Sequence, residues 1–200
     1  MLKTAVLDTF KLQDKEAYRK FFNECKASNS HLTAADGRPA WIAVKVKAAG
    51  PKKVLEIGCQ TGGMTKILLE ICPNVTAVDI IQDNVDLVTA MGAKGVLSFV
   101  EDLDELKLGK FDVVTITEVL NHVIGVEKAV KNAWACVKKG GHLIVTVPHG
   151  SRWIDQAVAR KFDSFDDLHA ILQPIVNVAY NIETLDWNGN RIFYAVDITK

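Results

Sequence analysis

The chain has 200 residues, 48% apolar and 24% charged, with 24 Lys/Arg against 24 Asp/Glu. That size and balance describe one globular domain with a full core and exclude a disordered chain. Zero net charge excludes attraction to nucleic acid or membranes by bulk electrostatics.

The first fifty residues read as helical. In DKEAYRKFFNECKAS, Ala17, Tyr18, Phe21, Phe22 and Cys25 fall near helical spacing. The opening MLKTAVLDTFKLQDKE has no sustained apolar stretch, so neither a signal peptide nor an anchor is expected. SNSHLTAADGRP is a polar break, and PAWIAVKVKAAG predicts a second helix from Pro39 to Gly50, although its Val/Lys alternation also suits a strand. Residues 1–53 hold 11 Lys/Arg and 5 Asp/Glu, net +6, which leaves net −6 for the remainder. This is either a lysine-rich solvated face or a basic face toward an anionic substrate.

From Lys53 strands and helices alternate. Strand one covers 53–58, a helix follows over 62–71, and VTAVDI (75–80) is strand two. A helix over NVDLVTAMG precedes strand three, GVLSFVE (95–101), and FDVVTITEVL (111–120) is strand four running into a loop. VEKAVKNAWACVKKGG is an amphipathic helix stopped by Gly140 and Gly141, and HLIVTVP (142–148) is strand five. Continuous apolar strands with intervening helices predict a parallel sheet covered on both faces, made doubly wound by right-handed crossovers. SFDDLHAIL (164–172) is a helix with Ser164 as its cap and Asp167 three residues on. Two extended runs then flank the turn signal Asn188-Gly189 and predict a hairpin forming an antiparallel sheet edge.

Cys25, Cys59, Cys72 and Cys136 have no metal-ligand spacing. Reduced thiols in a cytoplasmic setting are expected, with no structural metal. No apolar run approaches the ~20 residues that span a bilayer.

The chemistry concentrates in VLEIGCQTGGMT, residues 54–65, where a buried strand enters a glycine-rich turn. In doubly wound sheets ligands sit outside the strand C-termini where strand order reverses. A dinucleotide fingerprint needs glycine where the backbone meets the phosphates. Gln60 stands there instead, and Glu56 repels a diphosphate. No Gly-Lys-Ser/Thr follows, so a Walker-type loop is excluded. A cationic ligand suits the same turn: a sulfonium with an α-amino group is attracted by Glu56. Asp79, closing strand two, can accept both hydroxyls of an adenosine ribose. Asp102, after strand three, can accept from an adenine amino group, and Leu103 offers its amide to a ring nitrogen.

In order, VLEIGCQTG, VTAVDI, FVEDLDEL, FDVVTITEVLNHV and VKKGGHLIVTVP resemble the motifs of class I S-adenosylmethionine-dependent methyltransferases, over about residues 51–148 and more faintly to 198. The resemblance implies a Rossmann-like α/β fold: a doubly wound, seven-stranded, mostly parallel sheet of order 3-2-1-4-5-7-6, strand 7 antiparallel, with helices on both faces. It implies a single methyltransferase domain over 1–200, with a helical lid segment (1–50), a cofactor-binding core (51–148) and a substrate-side loop, helix and hairpin (149–200). It also implies S-adenosyl-L-methionine as cofactor and S-adenosyl-L-homocysteine as product, without a metal. Glu56, Gly58, Cys59 and Gly62 then line the methionine part. Asp79 and Ile80 hold the ribose, Asp102 and Leu103 the adenine, and Thr117 and Glu118 close the floor after strand four.

Methyl transfer requires an aligned nucleophile, exclusion of water and, for hydroxyl acceptors, a base. The catalytic candidates are His122, in TEVLNHV, where the family often shows an acid at the position of Asn121, and His149, after strand five. Arg152 is suited to a substrate carboxylate or phosphate and Trp153 to a pocket wall, and His31, Arg38 and Trp41 are further candidates from the N-terminal segment, which in this family often lids the cofactor. The motifs of exocyclic-amine and cytosine-C5 nucleic-acid methylases are absent, and no stacking-aromatic stripe is present. A small-molecule acceptor, methylated at oxygen or nitrogen, is therefore expected, on a cytoplasmic monomer or homodimer that binds neither nucleic acid nor membrane. The rival readings are a non-catalytic cofactor-binding subunit, aminopropyl transfer from decarboxylated cofactor, and a nicotinamide oxidoreductase, which Gln60 and Glu56 disfavour.

Overall fold

The computed structural model describes residues 16, 19, 20, 23, 37–150, 159–187 and 191–200. Helix α1 (Gly37–Ala49) opens the core and is followed by β1 (Val54–Ile57), α2 (Gly63–Ile71), β2 (Val75–Asp79), α3 (Gln82–Ala90) and β3 (Lys94–Leu97). A 3-10 turn, Val100–Asp102, leads to β4 (Phe111–Thr117), α4 (Val126–Cys136), β5 (Val137–Pro148), α5 (Phe165–Val176), β6 (Ile182–Trp187) and β7 (Arg191–Thr199).

The strands form one seven-stranded sheet of order β3-β2-β1-β4-β5-β7-β6. β1 pairs in parallel with both β2 and β4, β2 with β3, and β4 with β5, while β7 runs antiparallel to β5 and β6. The order and the antiparallel strand are those expected from the resemblance. The β6–β7 hairpin is present, and its Asn188-Gly189 turn lies outside the described residues.

The sheet has two dry faces because alternate residues of each strand point opposite ways. Leu55, Ile57, Val114, Ile116, Leu143 and Val145 join Val130 and Ala133 of α4 and Leu168 and Leu172 of α5 in one core. Val54, Val75, Ala77, Val113 and Ile144 join Ile42 and Val46 of α1, Met64 and Leu68 of α2 and Val88 of α3 in the other. Each fully buried aliphatic side chain contributes about 1.5–3 kcal/mol. The Val/Lys alternation in α1 thus resolves as helix: Arg38, Ile42 and Val46, four residues apart, form its buried stripe. No helix among the described residues is long and apolar enough to cross a membrane.

Three boundaries differ from expectation. β3 ends at Leu97, and the chain then tightens into the 3-10 turn rather than staying extended to 101. β5 starts at Val137, so Gly140 and Gly141 do not stop α4, which already ends at Cys136. They sit where the β4–β5 register shifts between Phe111 and Val113. Gly140 takes a left-handed φ of 73° there, and a Cβ on Gly141 would come within 2.7 Å of the Asp112 carbonyl oxygen. The glycines serve a strand irregularity, as glycine inside a strand often does. α5 runs on past 172 to Val176 through Pro174 and ends on left-handed Asn177. At its start the expected cap is a full capping box: Ser164 Oγ accepts from the Asp167 amide, and Asp167 accepts from the Ser164 amide at 2.8 Å.

Candidate active site

Strand order reverses between β1 and β4, and the crevice outside their C-terminal ends is the ligand position in a doubly wound sheet. A cavity of about 270 Å³ opens there, lined by the segments leaving β1, β2, β3 and β4.

The β1 exit is built on three left-handed residues, Gly58 (φ 81°), Gln60 (φ 46°) and Gly62 (φ 83°). The Gly58 and Cys59 amides both donate to the Val78 carbonyl, at 2.8 and 3.1 Å, and fold the turn onto β2. A Cβ on Gly58 would lie 2.2 Å from Val119 Cγ2, so only glycine fits beside the β4 exit. Gln60 holds a conformation that costs a non-glycine residue about 1–2 kcal/mol. Its compensation is visible: its amide donates to Asp79 Oδ2 at 2.8 Å. Asp79 Oδ1 accepts from the Ile81 amide at 3.0 Å and from Asn84 Nδ2 at 3.1 Å. Asp79 therefore staples the β1 turn to the start of α3. Burial raises its pKa, although these hydrogen bonds oppose the shift.

The β3 exit brings Phe99, Val100 and Glu101 to the cavity wall. Asn132 of α4 pins this turn by donating to the Val100 and Glu101 carbonyls at 3.1 and 2.9 Å. The Arg19 guanidinium lies 4.6 Å from the Phe99 ring centre. At the β4 exit Glu118 is left-handed (φ 56°). Its carboxylate accepts from Thr146 Oγ1 at 2.8 Å and pairs with Arg38 at 3.2 Å. Arg38 is 5% exposed, and its guanidinium stacks 3.9 Å from the Phe193 ring centre. Val119, His122 and Val123 complete the wall.

Of the expected site residues, Gly58, Asp79, Ile80, Glu118 and His122 line this cavity, and Glu56, Cys59, Gly62, Asp102, Leu103 and Thr117 do not. Of the three expected acids Glu56, Asp79 and Asp102, only Asp79 therefore lines this cavity. Glu56 has the parity of Val54 and faces α2, where Thr65 Oγ1 donates to it at 2.6 Å. Full burial pushes its pKa up to about 8, which favours the neutral acid at pH 7. Cys59 is buried, its thiol pKa raised by desolvation, and it acts as packing. Gly62 is backed by Met91 of the α3 end, whose Sδ would lie 2.7 Å from an added Cβ. Asp102 turns out toward Lys128, 3.9 Å away, and Leu103 is buried in the core. The 3-10 turn shifts the cavity-facing acid by one residue, to Glu101. Trp41 is also displaced from the site: its Nε1 donates to Glu183 of β6 at 3.1 Å, beside Lys45 at 2.9 Å from the same carboxylate. His149 is half-buried, its ring edge-on to Tyr194 at 5.6 Å, and it is not among the lining residues. His31, Arg152 and Trp153 lie outside the described residues.

Sequence reasoning missed Glu101, Asn84 and Asn132. A polar Asn132 on the apolar face of an amphipathic helix was the available signal for a pinned turn.

The lining is chemically one-sided. Asp79, Asp83, Glu101 and Glu118 face it, and no lysine or arginine does among the described residues; Val78, Phe99, Val100, Val123 and Ile124 make an apolar slot. Such a site suits a flat base joined to a cation and opposes a pyrophosphate.

Fold and crevice define a Rossmann-like α/β protein with its ligand site at the β1/β4 switch point. The chain belongs to the methyltransferase domain family, whose model matches residues 29–187, and with it to the class I S-adenosylmethionine-dependent methyltransferases. Among curated proteins it is similar to the ubiquinone biosynthesis O-methyltransferase of Rickettsia conorii. The two are 32% identical over 100 residues, which cover 47% of this chain and 34% of that protein. The corresponding Bordetella avium protein is 26% identical over 110 residues, covering 52% of this chain and 46% of its own length. The match thus spans less than half of either relative. Among solved structures, the N-methyltransferase NodS of Bradyrhizobium japonicum WM9, in complex with S-adenosyl-L-homocysteine, superposes with a TM-score of 0.67 at 15% identity, covering 90% of this chain and 97% of that one. An O-methyltransferase family protein from Burkholderia thailandensis gives 0.62 at 13% identity, covering 92% and 60%.

Proposed function

We propose that the protein transfers a methyl group from S-adenosylmethionine to a small-molecule acceptor, at oxygen or nitrogen. The observation that carries this reading is that, among the described residues, every Asp, Glu, Lys or Arg side chain lining the crevice at the β1/β4 switch point is an acid, beside a run of apolar residues. Bound there, the cofactor supplies a methyl group on a positively charged sulfur.

The residues of this chain then bind and orient. The turn at Gly58 and Gln60 gives the methionine part a close backbone, and Glu118, held by Arg38 and Thr146, presents negative charge to its ammonium. The Gln60 and Ile81 amides, Asn84 and, more weakly, the Cys59 thiol already donate to Asp79, so its carboxylate meets a ribose hydroxyl from a fixed, largely occupied position. Phe99, Val100 and Val123 clasp the adenine, with Glu101 toward its amino group. The Arg19 guanidinium stacks on Phe99 and shields that ring from water. His122 stands at the β4 side, on the acceptor's approach. The O-methyltransferase relatives favour oxygen as the acceptor atom.

Calorimetry tests the reading with S-adenosyl-L-homocysteine and NAD as competing candidates. The homocysteine nucleoside is expected to bind, and Asp79→Asn to weaken it by about 1–3 kcal/mol, one charge-assisted hydrogen bond. Binding of NAD alone, or no binding at millimolar nucleoside, would overturn it. Transfer of labelled methyl groups to phenol and amine panels then separates oxygen from nitrogen.

A further inference from the structure

Asn132 is a buried amide on the inner face of α4, 6% exposed and set among the buried Ala129, Val130, Ala133 and Cys136. Its Nδ2 donates to the Val100 carbonyl at 3.1 Å, to the Glu101 carbonyl at 2.9 Å and to Asp104 Oδ1 at 3.2 Å. All three partners are acceptors, so the amide has one orientation: turned over, it would set its own oxygen against three others. Val100 and Glu101 line the cavity, and Asn132 does not. It therefore acts on this wall from behind.

The side chain that the turn presents is Glu101. It runs past Gly125 at the start of α4, where an added Cβ would lie 3.4 Å from Glu101 Cγ and 3.9 Å from Oε1. Glu101 is 6% exposed, and among the described residues no hydrogen bond or ion pair holds its carboxylate. Other acids on the cavity wall are held: Asp79 by Gln60, Ile81 and Asn84, and Glu118 by Thr146 and Arg38. A buried carboxylate without a donor is costly, and a ligand that brings an N–H relieves that cost.

We propose that Asn132 is a positioning residue for base recognition. By tying the 3-10 turn to α4 it holds the Glu101 carboxylate against the base and so selects an amino-purine nucleoside over one that lacks the amino group. The proposal rests on the methyltransferase reading above, in which Glu101 faces the adenine amino group. A site built to bond an N–H rejects the analogue without it, because its own polar group is then left unpaired. Without the Asn132 bonds, the turn is held to α4 by apolar contacts alone. Such contacts have no preferred direction and do not fix where the carboxylate points. A purely structural Asn132 would weaken the binding of both nucleosides alike, whereas a positioning residue changes their ratio.

Calorimetry on the full chain compares S-adenosyl-L-homocysteine with its 6-deamino analogue, which carries hydrogen in place of the amino group. The wild type is expected to favour the amino nucleoside at least about tenfold. Asn132→Ala is expected to cut that ratio about three- to tenfold. Glu101→Gln leaves the backbone bonds to Asn132 in place and should also cut the ratio. In a Glu101→Gln background Asn132→Ala should then change it no further, since Asn132 acts through Glu101. Equal wild-type affinities overturn the proposal. So do a ratio unchanged in Asn132→Ala and two substitutions whose effects on the ratio multiply. If Asn132→Ala does not fold, Asn132→Leu, of similar volume and apolar like its neighbours, carries the same test. A wild type that binds neither nucleoside overturns the methyltransferase reading itself, whereas one that binds both equally overturns only this proposal.

Discussion

Gly58→Ala examines the glycine turn most directly. The new methyl meets two obstacles: a left-handed φ of 81° and a Val119 methyl at 2.2 Å. The backbone strain costs about 1–2 kcal/mol for a residue with a Cβ. Forcing a methyl into occupied space costs about 1–3 kcal/mol, because Val119 is stiff at χ1 and has one preferred rotamer. Alanine's lower unfolded-state entropy offsets about 0.5–1 kcal/mol. The expected net loss is about 2–3 kcal/mol, or roughly 4–12 °C in Tm for a chain of this size. Val119→Ala removes the colliding methyl but leaves the φ strain. In a double-mutant cycle by urea denaturation, the pair should couple favourably by about 1–3 kcal/mol. Additive losses would show that Gly58 is needed for its φ alone and that the turn is not packed against the β4 exit as described.

Further outcomes follow from the same geometry. The native pKa of Glu56 is near 8 against an ordinary 4.5. Between those values the unfolded chain has released this proton and the native chain has not, so stability falls as pH rises from about 4.5 to 8. Glu56→Gln keeps an acceptor for Thr65 and should flatten the slope measured by urea denaturation at pH 5 and 8, leaving the part due to Asp79, whose pKa is raised in the same sense. An unchanged slope would place the titration elsewhere. Arg38→Leu removes the ion-pair partner of the largely buried Glu118 carboxylate and should cost about 3 kcal/mol, and Arg38→Lys should recover only part, since an ammonium does not replace the guanidinium stack on Phe193. Chemical denaturation of the two variants gives the comparison, and equal stability would discount the stack. Ser164→Ala removes the hydroxyl half of the α5 capping box and should cost about 1 kcal/mol, read from the urea midpoint at constant m-value.

Much of this protein is decided by local and periodic features of the chain. Strand after strand of continuous apolar residues, each followed by a helical repeat, leaves a parallel sheet with two covered faces as the compact solution, and the right-handed crossover rule narrows its topology. Glycines at 58 and 62 mark left-handed turns because few other residues enter that region cheaply, and Ser164 with Asp167 marks a helix start because those side chains reach their own backbone. Such interactions span a few residues, so sequence alone carries them.

Side-chain direction across elements is different. Glu56 and Asp102 both read as cofactor acids, yet strand parity turns Glu56 into the α2 face, and one 3-10 turn, pinned from α4 by Asn132, turns Asp102 toward Lys128 and sets Glu101 on the cavity. The Glu56 pKa is also raised, because desolvation in a closed core outweighs the hydrogen bond from Thr65. The Arg38–Glu118 pair joins residues 80 positions apart, and the Trp41–Glu183 bond joins residues 142 apart. Chain order records which groups exist. Only packing three layers against one another sets which of them share a low-dielectric space, and that decides both their direction and their charge.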